Sequence, residues 1–306
     1  MLFGCGDSNS DMMTNGATGG MQATGHYAYS ACPLEDAVGG FTVELTDQYT
    51  SVTGKVTNGI VPTNIPDPLT SMGACTLVQG RSLFCDPACA SDQTCAEDGT
   101  CIPYPVGQDL GEVTIAGLKD PVSMTARSPA FNYNFTGTLT NPGVDEGDRV
   151  TLSAAGGAAD AFTLVAEGIA PLNVHETELA LEDGQPAMMT WDPPAKSGRS
   201  HLLATLNISL HGGNPVRIEC DFEDTGSLEI PADLISELLG YGYSGFPAIT
   251  LVRQTSDSLD HSLGCVDFRV ISTANRLPVV IPGLTSCTAN DECPMGQTCQ
   301  EDLTCQ

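Results

Sequence analysis

Cysteine is the residue type here with the most chemistry to offer, and its spacing limits what that chemistry can be. The sequence holds 13 cysteines, an odd number, so at least one stands outside any closed set of pairs within the chain. Four form a short cluster, Cys85, Cys89, Cys95 and Cys101, and four form another, Cys287, Cys293, Cys299 and Cys305. The clusters repeat each other. Cys89-Ala-Ser-Asp-Gln-Thr-Cys95-Ala-Glu-Asp-Gly-Thr-Cys101 matches Cys293-Pro-Met-Gly-Gln-Thr-Cys299-Gln-Glu-Asp-Leu-Thr-Cys305 in spacing and in its Gln-Thr-Cys and Glu-Asp-x-Thr-Cys words. Zinc knuckles place two to four residues between cysteines and often use histidine. Most gaps here are five residues and neither cluster contains histidine, so the spacing favours disulfides stapling segments too short to bury a core. Each cluster allows three pairings, of which first to third with second to fourth is preferred. Outside the clusters, Cys220 sits on an apolar strand face, and Cys220–Cys265 with Cys32–Cys75 is the expected assignment. Cys265 is out of phase with Val266, Phe268 and Val270, so that pairing requires a bulge near Gly264.

A second group is acidic. Glu219, Asp221 and Glu223 alternate with Ile218, Cys220 and Phe222, which puts three carboxylates on one exposed strand face with Asp224 beside them. Such neighbours repel unless a cation intervenes. The plain expectation is a solvated face balanced by Arg217, or by Arg253 or Arg269 on another strand. The sharper one is a Ca²⁺ site, because hard cations take several carboxylate oxygens.

Contiguous catalytic motifs are missing. His175-Glu176-Thr177-Glu178-Leu179 begins like the zinc-protease motif but ends in leucine and reads as a strand. Gly242-Tyr243-Ser244-Gly245-Phe246 lacks the closing glycine of a nucleophile elbow. The five histidines are scattered and read as surface or loop residues. A non-catalytic protein is expected, with a hydrolase of noncontiguous site as the most distant alternative.

The elements that must position these residues are mostly strands. Gly39 to Leu45 and Tyr49 to Ile60 read as a small hairpin unit. From about 110 to 283, period-two apolar positions recur at Val113–Ile115, Val150–Ala154, Phe162–Leu164, Ala187–Trp191, Leu202–Leu210, Val216–Phe222 and Val266–Val270. With Gly, Asn, Asp and Pro between them, they predict an antiparallel β-sandwich. One segment, Pro231 to Leu239, carries helix start and stop signals. The expected organisation is a flexible tether at 1–25, a small β unit with the first Cys-rich module at 26–108, a sandwich at 109–283 and a second Cys-rich module at 284–306. The fold class is therefore all-β, an antiparallel sandwich flanked by a small N-terminal β unit and two disulfide-stapled modules.

Composition excludes some partners. With 38 Asp and Glu against 11 Lys and Arg, the net charge of −27 argues against nucleic acid and against electrostatic docking on anionic lipid. Hydrophobic residues at 41% leave ample material for a core.

Leu2-Phe3-Gly4-Cys5 resembles the end of a bacterial lipoprotein signal, in which the cysteine receives a diacylglycerol. The resemblance implies lipid attachment at Cys5, and setting Cys5 aside leaves an even number of cysteines for bridging. Thr190-Trp191-Asp192-Pro193-Pro194-Ala195 resembles a fibronectin type III strand and turn, which implies a tryptophan packed between sheets. Phe84-Cys85-Asp86-Pro87-Ala88-Cys89, Asp98 to Pro105, Leu181 to Ala187 and the closing module from Cys287 are similar to uncharacterised Cys-rich lipoproteins of myxobacteria and related bacteria. That resemblance implies a lipid-anchored protein of the bacterial cell envelope, facing the periplasm or exterior. The partners expected are the membrane through the lipid, a surface protein or glycan, and further copies in an assembly. A secreted carbohydrate- or Ca²⁺-binding module is the alternative.

Overall fold

The computed structural model describes residues 30–195, 200–208, 215–274 and 276–306. Cys5 and the expected tether at 1–25 lie outside them, as do the last two residues of the Leu202–Leu210 strand expectation. Along the chain, β1 (Ala37–Leu45) and β2 (Thr50–Val56) form a hairpin and β3 (Asp67–Met72) and β4 (Cys75–Gln79) a second. The short β5 (Gln93–Cys95) and β6 (Cys101–Pro103) pair inside the first cysteine cluster. Next come β7 (Val113–Ala116), β8 (Val122–Met124), β9 (Tyr133–Asn134), β10 (Arg149–Ala154) and β11 (Phe162–Glu167). They are followed by β12 (Leu179–Ala180), β13 (Ala187–Thr190), β14 (His201–Asn207), β15 (Val216–Glu223) and β16 (Ser227–Ile230). The helix α1 (Ala232–Gly240) precedes β17 (Ala248–His261), β18 (Gly264–Thr273) and β19 (Leu277–Val280).

One sheet organises the molecule. Its order is β3-β4-β15-β14-β17-β18-β1-β2-β9, with β19 joined to β17 and β12 to β19. The strands expected as a small N-terminal unit are hydrogen-bonded into this sheet, so the boundary expected near residue 108 does not separate two sheets. The sheet is mixed rather than purely antiparallel: β1 runs parallel to β18, and β12 parallel to β19. β1 enters between β18 and β2 with a bulge at Val38–Gly39, where the register against β18 shifts between Ala37 and Gly40. A Cβ at Gly40 would lie 2.1 Å from the Asp267 carbonyl oxygen, so only glycine fits there.

The inner face of this sheet covers two cores. Phe41, Val43, Val52, Phe268 and Val270 pack with the four-stranded sheet β11-β10-β7-β8, a sandwich as the alternation predicted. Leu77, Leu202, Leu206, Ile218 and Leu251 pack with the β13–β16 pair and with Leu234, Ile235 and Leu238 of α1. The helix begins one residue after Pro231, where the missing amide costs nothing.

Six disulfides are formed among the described residues. Within the clusters they run Cys85–Cys95, Cys89–Cys101, Cys287–Cys299 and Cys293–Cys305, the interleaved pattern preferred from sequence. The other two correct the expected assignment: the bridges are Cys32–Cys265 and Cys75–Cys220. The reason is strand order. β15 lies beside β4 with Cys220 directly opposite Cys75, whereas β14 and β17 separate β15 from β18. Cys265 needs no bulge to turn it inward. It faces the outer side of the sheet, where Cys32 meets it. Six bridges of this kind belong to an oxidising compartment outside the cytoplasm. No helix among the described residues is long and apolar enough to cross a membrane.

The repeated Glu-Asp-x-Thr-Cys words fold alike. Asp98 Oδ1 accepts from the Thr100 amide at 2.9 Å and hydroxyl at 2.6 Å, and Asp302 Oδ1 accepts from Thr304 at 3.1 and 2.6 Å. The hydroxyl bond, then the amide bond, holds the Asp98 carboxyl below its ordinary value. Its contribution to the turn is therefore present above the ordinary carboxyl pKa and is lost as pH falls through the lowered one. Thr100→Val is expected to return Asp98 toward the ordinary value, read from its carboxyl carbon in an NMR titration.

Candidate functional site

The outer face of the large sheet is where its polar side chains gather. Period-two alternation puts Thr76 of β4, Glu219 and Asp221 of β15, Leu203 and Thr205 of β14, and Asp267 and Arg269 of β18 on this side. Their apolar neighbours in sequence face the cores. Residues 30–36 cross this face as a strap. The Ser30 amide bonds the Ser256 carbonyl on β17, Cys32 is bridged to Cys265 on β18, and the chain then enters β1 on the far side of β18. Strap and sheet together enclose a cleft of about 560 Å³.

The acidic row lines one end of the cleft through Glu219 and Asp221. Glu219 Oε1 accepts from Arg217 Nε at 2.6 Å, and Asp221 Oδ1 lies 2.9 Å from His201 Nδ1. Glu223 is exposed at the strand end. Two of the three carboxylates are thus held in hydrogen bonds by neighbouring side chains, so this geometry does not support the Ca²⁺ site expected at Glu219, Asp221 and Glu223. The plainer expectation of an arginine-balanced face fits, with Arg217 as the arginine. Millimolar Ca²⁺ is accordingly expected to leave the melting temperature unchanged in a thermal shift assay.

Arg253 and Arg269, also considered as partners of that row, have other roles. Arg253 points inward and is 1% exposed, against an Asp224 that is 2% exposed. Arg253 Nε donates to Asp224 Oδ2 at 2.5 Å, and its Nη atoms donate to the carbonyls of Ala170, Pro171 and Asp192. Trp191 Nε1 and Ser200 Oγ complete the Asp224 shell at 2.7 and 2.9 Å. Every group in this buried network is used, which makes it a structural brace. Trp191 belongs to it and to the core beside Phe222, at a ring separation of 5.8 Å.

Arg269 lines the other end of the cleft with Asp267. Its Nε is buried without a hydrogen-bond partner, and no described residue accepts from its guanidinium. Asp267 is only 8% exposed and accepts from the Cys32 amide through Oδ1 at 2.9 Å. Burial raises its carboxyl pKa above the ordinary value. Sequence reasoning missed Asp267 and the strap. The available signal was Cys265, whose phase opposite to Val266, Phe268 and Val270 is shared by Asp267 and Arg269.

The remaining candidates are dispersed. His175 sits at the surface between Thr190 Oγ1 at 3.1 Å and Asp192 Oδ1 at 3.0 Å, and His261 contacts Ser262. Neither lines the cleft. Three thiols of each cluster lie close enough to hold a metal, but all of them are in disulfides. No protein-family model and no curated protein matches this chain, so the lipoprotein and fibronectin type III resemblances rest on the quoted residues alone.

Proposed function

We propose that the chain is a non-catalytic, lipid-anchored protein of the bacterial cell envelope that acts by binding a ligand at the strap-covered cleft. The observation that carries this reading is the Arg269 guanidinium, buried at Nε and without an acceptor among the described residues, in a cleft of ligand size. An unsatisfied buried donor is costly unless something else occupies it. The cleft's polar groups are carboxylates, hydroxyls, an amide and a guanidinium, without a nucleophile beside a base, which supports binding over hydrolysis. Anchoring at Cys5 is supported by parity, since the six bridges use every other cysteine. Native mass spectrometry of protein taken from its own envelope tests the binding reading. A small-molecule adduct that Arg269→Gln removes is the expected result, and an adduct-free protein would count against it.

Glycan binding is the second reading. Tyr241, Tyr243 and Phe246 are exposed within six residues after α1, and Tyr243 lines a separate cleft of about 420 Å³ with Glu182 and Asp183. Exposed aromatic faces beside carboxylates suit a sugar ring. Loss of glycan-array signal in Tyr243→Ala, with no effect of Arg269→Gln, would favour it.

A further inference from the structure

We infer that the strap-covered cleft takes a small organic monocarboxylate with an apolar body, its carboxylate on Arg269 and its body along Leu34 and Leu203. This rests on the binding reading above and adds the ligand's chemistry.

Arg269 decides the head group. A guanidinium without an acceptor presents a planar fork that matches a carboxylate in two parallel hydrogen bonds. Asp267, two residues away on the same strand face, lies about 6–7 Å along the strand. Its Oδ1 is committed to the Cys32 amide, while Oδ2 accepts no hydrogen bond from the described residues. A lone cation beside a carboxyl group suits a single negative charge better than a phosphate dianion. The surrounding charge of −27 works in the same direction, because it repels polyanions.

The cleft's middle decides the body. Leu203 of β14 lies between its two charged ends, and Ala31 and Leu34 of the strap, with Ala37 at the start of β1, also line the cleft. Leu34 is 57% exposed, an apolar side chain left open to solvent where it lines the cleft. β14 and β17 separate β15 from β18, so the ends stand about 14 Å apart. The far end is already satisfied, since Arg217 and His201 hold Glu219 and Asp221. The ligand therefore needs one charged group and no ammonium.

The test is a calorimetric titration of the full, unreduced chain with octanoate, octanamide and inorganic phosphate. Octanoate is expected to bind at least tenfold more tightly than octanamide, and phosphate to give no heat. Arg269→Gln is expected to weaken octanoate at least tenfold. Leu34→Asp, at an exposed position that leaves the core untouched, is expected to weaken it as well and serves if the arginine variant does not fold. Equal binding of octanamide, phosphate binding as tight as octanoate, or no octanoate binding by the wild-type chain would each overturn the inference. A copurified sugar or other neutral adduct lost in Arg269→Gln, with octanoate silent, would sink the carboxylate and leave the binding reading standing.

Discussion

Arg253→Met is expected to lower the unfolding free energy by roughly 3–5 kcal/mol, the usual cost of stranding one member of a buried ion pair. Asp224 would keep its bonds from Trp191 and Ser200 but face an apolar side chain in place of the guanidinium. The carbonyls of Ala170, Pro171 and Asp192 would lose their donor in the same step. Adding Asp224→Asn removes the uncompensated charge while leaving an oxygen for the Trp191 indole. The double variant should therefore be more stable than Arg253→Met alone, and chemical denaturation of the two measures the difference. Equal or greater loss in the double variant would mean that the charge pair is not the source of the cost.

The second large effect lies at the Cys75–Cys220 bridge. It joins residues 145 apart in sequence and sits in the core beside Leu77 and Ile218. In the chain-entropy account, a loop of this order stabilises by about 4–5 kcal/mol. The bridge nests inside Cys32–Cys265, so the two contributions will not add independently. Cys75→Ala with Cys220→Ala should lower the denaturant midpoint of the main transition. The same change at Cys89 and Cys101, which close a loop of sequence separation 12 in an outlying module, should leave that midpoint nearly unchanged. A comparable fall from both pairs would show that the module and the sheet unfold together.

Much of the fold was legible because alternation reports one-sided burial. β7, β10, β14, β15 and β18 each bury one side-chain set, and their positions followed from the sequence. β17 is marked in the sequence only by Arg253, read as lying on another strand without bounds, although it is the longest strand described and lies near the middle of the sheet. Arg253, Gln254, Thr255 and Ser256 are all buried on it, so polar residues occupy both faces and the period disappears. Their burial depends on the Asp224 network on one side and the strap on the other, and both are contacts between distant segments. The two long-range disulfides were mispaired for the same reason, since pairing depends on strand order. The candidate site divides similarly. The acidic row was readable as a strand face, but its partners were a matter of register. The pocket end at Asp267 and Arg269 exists only because residues 30–36 cross the sheet.

The measurement that bears most directly on the account of an exported, disulfide-braced envelope protein is its intact, unreduced mass with peptide mapping, taken from its native envelope. The account predicts two hydrogens lost for each of the six bridges, linked as Cys32–Cys265, Cys75–Cys220 and the four cluster pairs, with a diacylglyceryl group on Cys5. Free thiols in the two clusters carrying stoichiometric zinc, on a chain without lipid, would contradict it.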